Sequence, residues 1–369
     1  MFEHPYTEIP QVSSKLCDEH RAVARRISNK SIVLLKNENN ALPLSKTQKI
    51  AVVGKIASNR EAMYGAWVMC PEKDAAVSVV DGLKNACANF VYEPCVSEKE
   101  PIDIAALERA VADIDTVVAV LEYHSAGEAN SNCRPEFKGD QVLLLEKLKE
   151  MGKTVIAVMI NGRPLALGNI VNNCDALVEA WTLGTEAGNA ICDILFGDYN
   201  PSGRITATIP YYSGQWPLYY NHTNTGRPAN ESKWTCKYRD APILPLYCFG
   251  YGLSYTDFEY SDLVLEKSGE NLNATVTVKN IGKVIGEETV QLYIHRHNAT
   301  RVRPVKELKG YKKVVIEPGE SKNVTITVPR SIMGYFDMNA QYVTYESLFD
   351  IWVAHDSSCE NGCHGEIVF

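Results

Sequence analysis

Apolar stretches of strand length alternate with helical patterns through the first half of the chain, and this alternation limits the fold more than any other feature. Its clearest unit is residues 116–151. An unbroken apolar run, 116–121, is followed by a polar loop and then by residues 140–151, where apolar side chains recur at helical spacing. A continuous apolar run is typical of a strand buried on both faces of a parallel sheet. Asp140 is placed to cap the start of the helix, and Gly152 to cap its end.

The same alternation recurs on both sides of this unit. Further strand patterns lie at residues 31–37, 49–54, 90–92, 154–160 and 176–180, and further helical patterns lie at residues 12–27, 102–111 and 186–195. Strands that alternate with helices in this way form a mostly parallel sheet covered by helices on both faces. The sequence therefore predicts a doubly wound α/β domain.

The amino-acid composition of the sequence changes after residue 196. Glycine, proline, tyrosine and asparagine become frequent and periodicity is weak, which indicates an ordered excursion or a linker. From residue 271 the apolar residues alternate with period two, in short runs at residues 272–278, 289–294, 312–316, 323–328 and 349–353. Short alternating strands separated by turns are typical of a β-sandwich of about 100 residues. The α/β domain is therefore expected to be followed by an all-β domain.

Net charge, the length of apolar segments and the N-terminal residues bear on which partners and locations the sequence favours. The formal net charge is -8, and acidic and basic residues are interspersed, which argues against binding to nucleic acid or to an anionic membrane. No segment approaches the roughly 20 apolar residues that a membrane-spanning helix needs. The first residues have neither a basic region nor an apolar region, so no secretory signal is visible.

Cysteine spacing leaves two interpretations open. The chain has 11 cysteines, none in a Cys-x-x-Cys pair, and Cys359 and Cys363 beside His364 form the one close cluster. Scattered thiols in the core are the interpretation that this spacing favours, and a terminal disulfide or metal loop is the alternative. The glycine-rich phosphate loops, the nucleophile elbow and the zinc-protease motif do not occur. The sequence thus predicts neither a cofactor nor a metal.

Carboxylates in the loop after residue 121 are the remaining candidates for chemistry. That loop, residues 122–136, contains Glu122, Glu128 and Glu136. A glutamate between Gly127 and Ala129, without a basic neighbour in sequence, could have a raised pKa in a closed pocket, as a general acid requires. Spacing alone favours the simpler interpretation that these carboxylates are solvated.

A series of motifs along the chain favours a catalytic role for this loop instead. These motifs resemble, in the same order, those of glycoside hydrolase family 3, the β-glucosidase and β-xylosidase family. In the α/β part they are SIVLLKN (31–37), YGAW (64–67), SAGEA (125–129), NGRP (161–164), AWTLGTEAGNA (180–190), LFGDYNPSGR (195–204), PLYYN (217–221) and FGYGLSY (249–255). In the all-β part they are GEETVQLY (286–293), RPVKELKG (303–310) and PGES (318–321), which resemble the fibronectin type III-like domain of that family.

This resemblance implies a domain organisation. Residues 15–255 correspond to the C-terminal α/β sandwich domain of the family, and residues 256–369 to its fibronectin type III-like domain. Residues 1–14 resemble the linker that follows the N-terminal (β/α)₈ barrel. The barrel itself has no counterpart in the sequence.

The resemblance also implies roles for individual residues. The family uses a retaining mechanism, with an aspartate nucleophile on the barrel and an acid/base glutamate on the α/β sandwich. Glu128 matches the acid/base position, and Glu136 is the runner-up because some relatives place the acid before a similar Lys-Gly-Asp. Trp67 matches an aromatic residue that holds the sugar. We expect Glu128 to be exposed beside Trp67, on the face that a barrel would cover.

Departures from the family pattern limit the functional prediction. No nucleophile is identified in this chain, Asn132 stands where an arginine is usual, with Arg134 displaced, and Cys248 replaces a usual proline. The resemblance predicts the C-terminal part of a retaining β-glucosidase-like enzyme, inactive alone, that acts on a β-linked glucoside or oligosaccharide if a barrel is supplied. The barrel-facing surface is then a candidate site for a protein partner. The alternative is a non-catalytic carbohydrate-binding or assembly module. Relatives of this kind are periplasmic or secreted.

Overall fold

The computed structural model of the chain describes residues 3, 6, 16–68, 72, 74–124, 126–127 and 130–369. Among those residues, no helix has both the length and the apolar character needed to cross a lipid bilayer.

An open six-stranded sheet is the framework of the α/β part. Its strands are ordered β1-β8-β7-β4-β2-β3, and all neighbours are parallel except β1, which runs antiparallel to β8. The strands are β1 (Val33–Asn37), β2 (Ile50–Val53), β3 (Phe90–Glu93), β4 (Thr116–Tyr123), the short pair β5 (Ala126–Gly127) and β6 (Asn130–Ser131), β7 (Thr154–Asn161) and β8 (Ala176–Glu179). The helices are α1 (Asp18–Ser31), α2 (Val79–Asn85), α3 (Ile104–Val111), α4 (Gln141–Glu150), α5 (Gly168–Val171) and α6 (Ala187–Leu195). The predicted doubly wound, mostly parallel sheet is confirmed.

Burial of β4 on both faces explains why helices cover both sides of the sheet. All eight residues of β4 are buried. Val118 and Val120 belong to one apolar core, shared with α2 and α6, whereas Val117 and Leu121 belong to a second core, shared with α3 and α4. Successive side chains of a strand point to opposite faces, so an unbroken apolar run requires two such cores.

Several boundaries of helices and strands in the structure differ from the predicted ones. The strand β4 continues to Tyr123, so the prediction that the loop begins at Glu122 was wrong. The reason is pairing with β7, which continues until Tyr123 lies opposite Asn161. The Gln141 side chain adds two hydrogen bonds: its Oε1 accepts from the Glu122 N–H (2.8 Å) and its Nε2 donates to the Glu122 carbonyl (3.0 Å). Asp140 stands at the start of α4 but does not cap it, because its carboxylate accepts from the backbone N–H of Ile102 (3.1 Å). Gly152, with φ +72°, ends the helix as expected.

Helix α1 also differs from its prediction, and α2 was missed. The structure places α1 at Asp18–Ser31, later than the predicted 12–27, of which residues 12–15 lie outside the described chain. The helix α2 is short, and its first turn is fixed by a capping box between Ser78 and Asp81.

A β-sandwich forms the second part of the chain. One sheet has the order β13-β10-β9 and the other β12-β11-β16-β17, with antiparallel neighbours. Inward residues of β10, β11, β13 and β16 form a single apolar core. The five predicted strands are confirmed, and the edge strands β9 and β17 were not predicted. The elements are β9 (Phe258–Ser268), β10 (Asn271–Asn280), β11 (Gly286–Arg296), β12 (Glu307–Ile316), β13 (Ser321–Pro329), the pair β14 (Tyr335–Phe336) and β15 (Tyr342–Val343), β16 (Leu348–Ala354) and β17 (Cys363–Val368).

A buried ion pair joins the two parts. The Arg204 guanidinium donates to Glu288 on β11 at 2.6 Å, and their side chains are only 9% and 1% exposed. The hydroxyl of Tyr260 donates to the other oxygen of Glu288 (2.7 Å). A buried carboxylate with these two donors is well compensated, whereas either charge alone would be costly.

The ion pair yields a stability prediction. Arg204→Met should lower the free energy of unfolding by about 3 kcal/mol, because the buried Glu288 charge loses its cation. Lys46→Met is the matched control, since it removes an exposed ion pair with Asp198 and should cost less than about 1 kcal/mol. Urea unfolding followed by circular dichroism measures both, and equal losses would contradict the buried role of Arg204.

Candidate active-site cleft

The candidate site lies at the point where the strand order of the sheet reverses. From β2 the chain passes first to β3 on one side and then to β4 on the other side of β2. The loops that leave these carboxyl ends diverge, which opens a crevice in α/β sheets of this kind. The crevice here is a cleft of about 430 Å³, lined by the segment after β2, by Tyr123 and His124 at the end of β4, and by Gly162 and Thr182 after β7 and β8.

A larger and more open groove of about 710 Å³ lies elsewhere, beside Trp216, Tyr219 and Phe249 in the segment between the two parts. We assign the candidate site to the smaller cleft because it lies at the strand reversal and contains Trp67 and His124.

Trp67 is presented in this cleft with 77% of its surface exposed. The segment that carries it is anchored to α2, because Arg60 Nε donates to the Asp81 carboxylate at 2.7 Å. The Arg60 guanidinium, together with the Ser78 donors and against the effect of burial, lowers the pKa of Asp81 to about 2. Gly65 has φ +79° and its α-carbon faces Thr182, so the turn before Trp67 suits glycine.

Below His124, two carboxylates are held by one lysine and by backbone donors. Glu122 Oε1 accepts from the Glu98 N–H (2.7 Å). Glu98 accepts from Lys138 Nζ (2.9 Å) and from the His124 N–H (3.2 Å). Burial raises the pKa of Glu98, but these donors outweigh it, so that the pKa is lowered. Glu98 is thus an ionised structural group.

Asn132 secures the loop after β4. Its side-chain amide donates to the His124 carbonyl, its Oδ1 accepts from Lys138 Nζ (2.7 Å), and its backbone carbonyl accepts from Arg163 (2.9 Å). A single residue therefore ties the loop to the ends of β4 and β7 and to the segment before α4.

Asn161 and Arg163 extend this contact into the sheet. Asn161 Nδ2 donates to both oxygens of Glu179, at 2.9 and 3.0 Å, and its Oδ1 accepts from the Arg163 N–H (3.1 Å). The Trp181 N–H also donates to Glu179 (3.1 Å). Burial raises the pKa of Glu179 to about 8, so its carboxyl is protonated at neutral pH. The Asn-Gly-Arg-Pro motif thus connects a neutral buried carboxyl to the loop through Asn132.

Of the three predicted site residues, Trp67 and Glu136 lie among the residues that the structure describes and Glu128 does not. Trp67 lies in the cleft. Glu128 lies outside the described residues, so its expected position beside Trp67 stays a prediction; the flanking strands β5 and β6 pair as a short hairpin. Glu136 is half-buried and is not among the residues that line the cleft. The Pro135 carbonyl before it accepts from the Ala166 N–H (2.8 Å).

The contacts that secure the loop were not predicted. Glu98 and Lys138 are 40 residues apart, and Asn161 and Glu179 are 18 apart, so no local pattern announces either pair. The Lys-Gly-Asp and Asn-Gly-Arg-Pro motifs indicated that these segments matter, but they did not indicate which residues the segments contact.

No group of three or more histidine, cysteine or acidic side chains in the part of the chain that the structure describes is arranged to hold a metal ion. Cys359 and Cys363 are free thiols, as are the other described cysteines, so scattered thiols is the interpretation that fits them. Chemically, the cleft combines an exposed aromatic face with polar loop groups, which suits a ligand with apolar ring faces and hydroxyl groups.

Comparison with known families gives two matches. The family described as "Glycosyl hydrolase family 3 C-terminal domain" matches residues 32–255, and the "Fibronectin type III-like domain" matches residues 288–357.

Relatives with assigned names match along almost the whole chain. A periplasmic β-glucosidase of Salmonella typhimurium is 36% identical, over 97% of this chain and 52% of that protein. A β-xylosidase of Formosa agariphila is 33% identical, over 93% of this chain and 49% of that protein. The crystal structure of a Listeria innocua β-glucosidase in complex with glucose has a TM-score of 0.92 at 35% identity, over 100% of this chain and 52% of that one. The chain spans about half the length of the relatives it matches.

The buried carboxyl of Glu179 gives a pH prediction. Its pKa is higher in the folded state than the ordinary 4.5, so between about pH 5 and 8 the folded chain retains a proton that the unfolded chain has lost. This group therefore lowers the free energy of unfolding by about 1.4 kcal/mol per pH unit as the pH rises through that range. Glu179→Gln should remove that component of the slope.

The measurement is urea unfolding at pH 5, 6, 7 and 8. Glu93→Gln is the control, because Glu93 also ends a parallel strand of the sheet, the edge strand β3, but in a half-buried position. If the wild type and Glu179→Gln have the same slope, the neutral buried carboxyl is refuted.

Arg163 gives a second prediction. Arg163→Met removes the hydrogen bond to the Asn132 carbonyl, worth about 1 kcal/mol, and should speed amide hydrogen exchange roughly fivefold in peptides that contain His124 and Asn132. Arg109→Met, at an exposed position of α3, is the control. Unchanged exchange in Arg163→Met would show that Asn132 is secured without Arg163.

Proposed function

Since this chain belongs to glycosyl hydrolase family 3, we propose that it is the C-terminal part of a retaining β-glucosidase-like hydrolase and supplies the acid/base carboxyl of the reaction. The observation that carries the proposal is the cleft at the strand reversal, which joins exposed Trp67 to the base of the loop that contains Glu128. The names of the relatives favour a β-linked glucoside or xyloside as the substrate class. The glucose bound to the Listeria innocua relative is consistent with that class.

Glu128 is the proposed acid/base residue, with Glu136 as the runner-up. The support for Glu128 is its match to the family motif and the way Asn132 secures the loop four residues later. A catalytic carboxyl must be held within a fraction of an ångström of its working position, and a loop tied at several points meets that need better than a free one. Glu98 and Glu122 are less suited, because their oxygens already accept backbone or lysine donors.

The reaction then proceeds in two displacements. In the first, a carboxylate nucleophile attacks the anomeric carbon while Glu128 donates its proton to the departing glycosidic oxygen. In the second, Glu128 takes a proton from water, and that water releases the sugar with its original anomeric configuration. The two carboxyls must stand about 5 to 5.5 Å apart, across the scissile bond.

The nucleophile would come from a barrel domain that faces the cleft. Trp67 would stack on the apolar face of a sugar ring, and its exposure leaves the ring free for that contact.

The alternative function is a carbohydrate-binding or assembly module without catalysis. One observation favours it: Asn132, at the position of the usual arginine, uses its side chain to hold His124 and Lys138 rather than to face a ligand. Trp67 could bind a sugar under either function, so binding alone does not distinguish them.

Assays of glycoside hydrolysis distinguish the hydrolase from the non-catalytic module. The chain alone should not hydrolyse p-nitrophenyl β-glucoside, because a general acid by itself contributes only about 10² to 10⁴-fold. Mixed with the separately produced barrel half of the Salmonella typhimurium relative, it should become active. Glu128→Gln should then lower kcat about 10² to 10⁴-fold. Trp67→Ala should mainly raise KM.

Glu136→Gln is the matched control, a second carboxyl of the same loop, and should retain most of the activity. Robust turnover by the chain alone that Glu128→Gln abolishes would contradict the proposal. Sugar binding without turnover in every mixture would favour the non-catalytic module.

A further inference from the structure

A second cleft, of about 460 Å³, lies between the α/β part and the β-sandwich. Its floor is the outer face of β11 and β12, where Thr289 lies opposite Lys313 and Gln291 opposite Tyr311. Residues at alternate positions share one face of a strand, so these four side chains point into the cleft together.

The α/β part supplies the opposite wall. The end of α1 contributes Lys30, the loop after β8 contributes Trp181, and the segment between the two parts contributes Arg204 and Phe249. The cleft is therefore walled by aromatic rings and lined by basic side chains.

The Thr289 hydroxyl in this cleft has no hydrogen-bond partner among the residues that the structure describes. The Thr289 side chain is buried, with 6% exposure, and its Oγ1 makes no hydrogen bond to any described residue. Its neighbours on β11 differ: Glu287 accepts from Lys30 (2.7 Å), and Gln291 donates to the Gly250 carbonyl (3.1 Å). Leaving a buried hydroxyl unsatisfied costs about 1 to 3 kcal/mol, so a ligand group that hydrogen-bonds Thr289 would remove that cost.

Basic groups outnumber acidic ones here. Lys30, Arg204 and Lys313 face Glu287 and Glu288, and Arg204 Nε is a second buried atom without a partner among the residues described. Lys313 is the least compensated cation, since its Nζ is 3.9 Å from Glu287 and its one hydrogen bond goes to the Ser202 carbonyl (3.3 Å). Burial lowers the pKa of Lys313 although Glu287 acts to raise it, and an added anion would offset that burial.

We propose that this interdomain cleft binds a small organic anion of sugar size, whose carboxylate or phosphate group contacts Lys313 and Thr289 and whose ring packs on Trp181. The ligand needs acceptor oxygens because the unpaired Arg204 Nε and the lysine ammonium are donors, and it needs a ring face because Trp181, Phe249 and Tyr311 line the cleft. The site is separate from the candidate active-site cleft and does not depend on the proposed hydrolase function.

The test uses the full chain with four probes: glucuronate, glucose 6-phosphate, glucose and inorganic phosphate. Isothermal titration calorimetry should give a Kd of about 1 mM or tighter for at least one anionic sugar, and at least tenfold weaker binding for glucose and for phosphate. Whichever of glucuronate and glucose 6-phosphate binds more tightly identifies the preferred anionic group as a carboxylate or a phosphate. Quenching of tryptophan fluorescence should accompany binding and be lost in Trp181→Phe.

Variants locate the site. Lys313→Met should weaken binding at least tenfold and Thr289→Val at least threefold, whereas Thr289→Ser keeps the hydroxyl and should stay close to wild type. Lys322→Met, on β13 outside the cleft, is the charge-matched control. Trp67→Ala should leave the affinity unchanged, because Trp67 lies in the other cleft.

Three results would overturn the proposal. The first is the absence of measurable binding of either anionic sugar at 10 mM or below, that is, about -2.7 kcal/mol. The second is binding that Lys313→Met and Thr289→Val leave intact while both variants unfold as the wild type does. The third is binding that disappears in Trp67→Ala, which would assign the ligand to the active-site cleft instead.

Discussion

The parallel pairing of β4 with β2 and β7 is the constraint on which the rest of the α/β part depends. Because β4 is buried on both faces, its backbone groups need partners within the protein, and most of them pair with β2 and β7 in a defined register. In that register Tyr123 lies opposite Asn161, so the loop after β4 leaves the sheet beside the Asn-Gly-Arg-Pro motif. The segment that carries Trp67 leaves β2 on the other side. The cleft is a direct consequence of this pairing.

Two carboxyls at this edge of the sheet, the half-buried Glu98 and the buried Glu179, have opposite protonation states, and each state has a structural reason. Glu98 stays ionised because Lys138 and backbone N–H groups donate to it. Glu179 receives only neutral donors, from Asn161 and Trp181, in a fully buried position, and it therefore keeps its proton at neutral pH. Both support the loop through Asn132, one by way of Lys138 and the other by way of Asn161 and Arg163. Glu98 and Glu179 thus help to secure the loop, and neither of these two carboxyls is an unpaired charge.

The sequence predicted the parts of the fold that depend on local periodicity. The apolar runs of β2, β4, β7 and β8 and the alternating strands of the sandwich carry their own signals, and they were found. The edge strand β9 was missed because none of its residues is fully buried and its pairing with β10 shifts between Thr275 and Thr277. The end of β4 was misplaced because its pairing with β7 continues through Tyr123, and this pairing is a tertiary contact that the polar local sequence does not indicate.

The candidate site was less predictable than the fold. Trp67 and Glu128 were proposed from a resemblance between motifs, and periodicity alone would have left Glu128 a solvated loop residue. The contacts that secure the loop join residues that are far apart in sequence, as with Glu98 and Lys138, so only the folded chain reveals them. Local patterns report burial and turns, whereas the choice of a hydrogen-bond partner is made by tertiary packing.

The acid/base role of Glu128 can be tested most directly by azide rescue in a fusion of this chain behind the barrel half of the Salmonella typhimurium relative. In Glu128→Ala, 2,4-dinitrophenyl β-glucoside should still form the glycosyl-enzyme, because its leaving group needs no proton, and azide should then replace water because it needs no base. The account predicts faster turnover with added azide and β-glucosyl azide as the product for Glu128→Ala, and neither effect for Glu136→Ala. Rescue confined to Glu136→Ala, or hydrolysis by Glu128→Ala at the rate of the unaltered fusion, would contradict it.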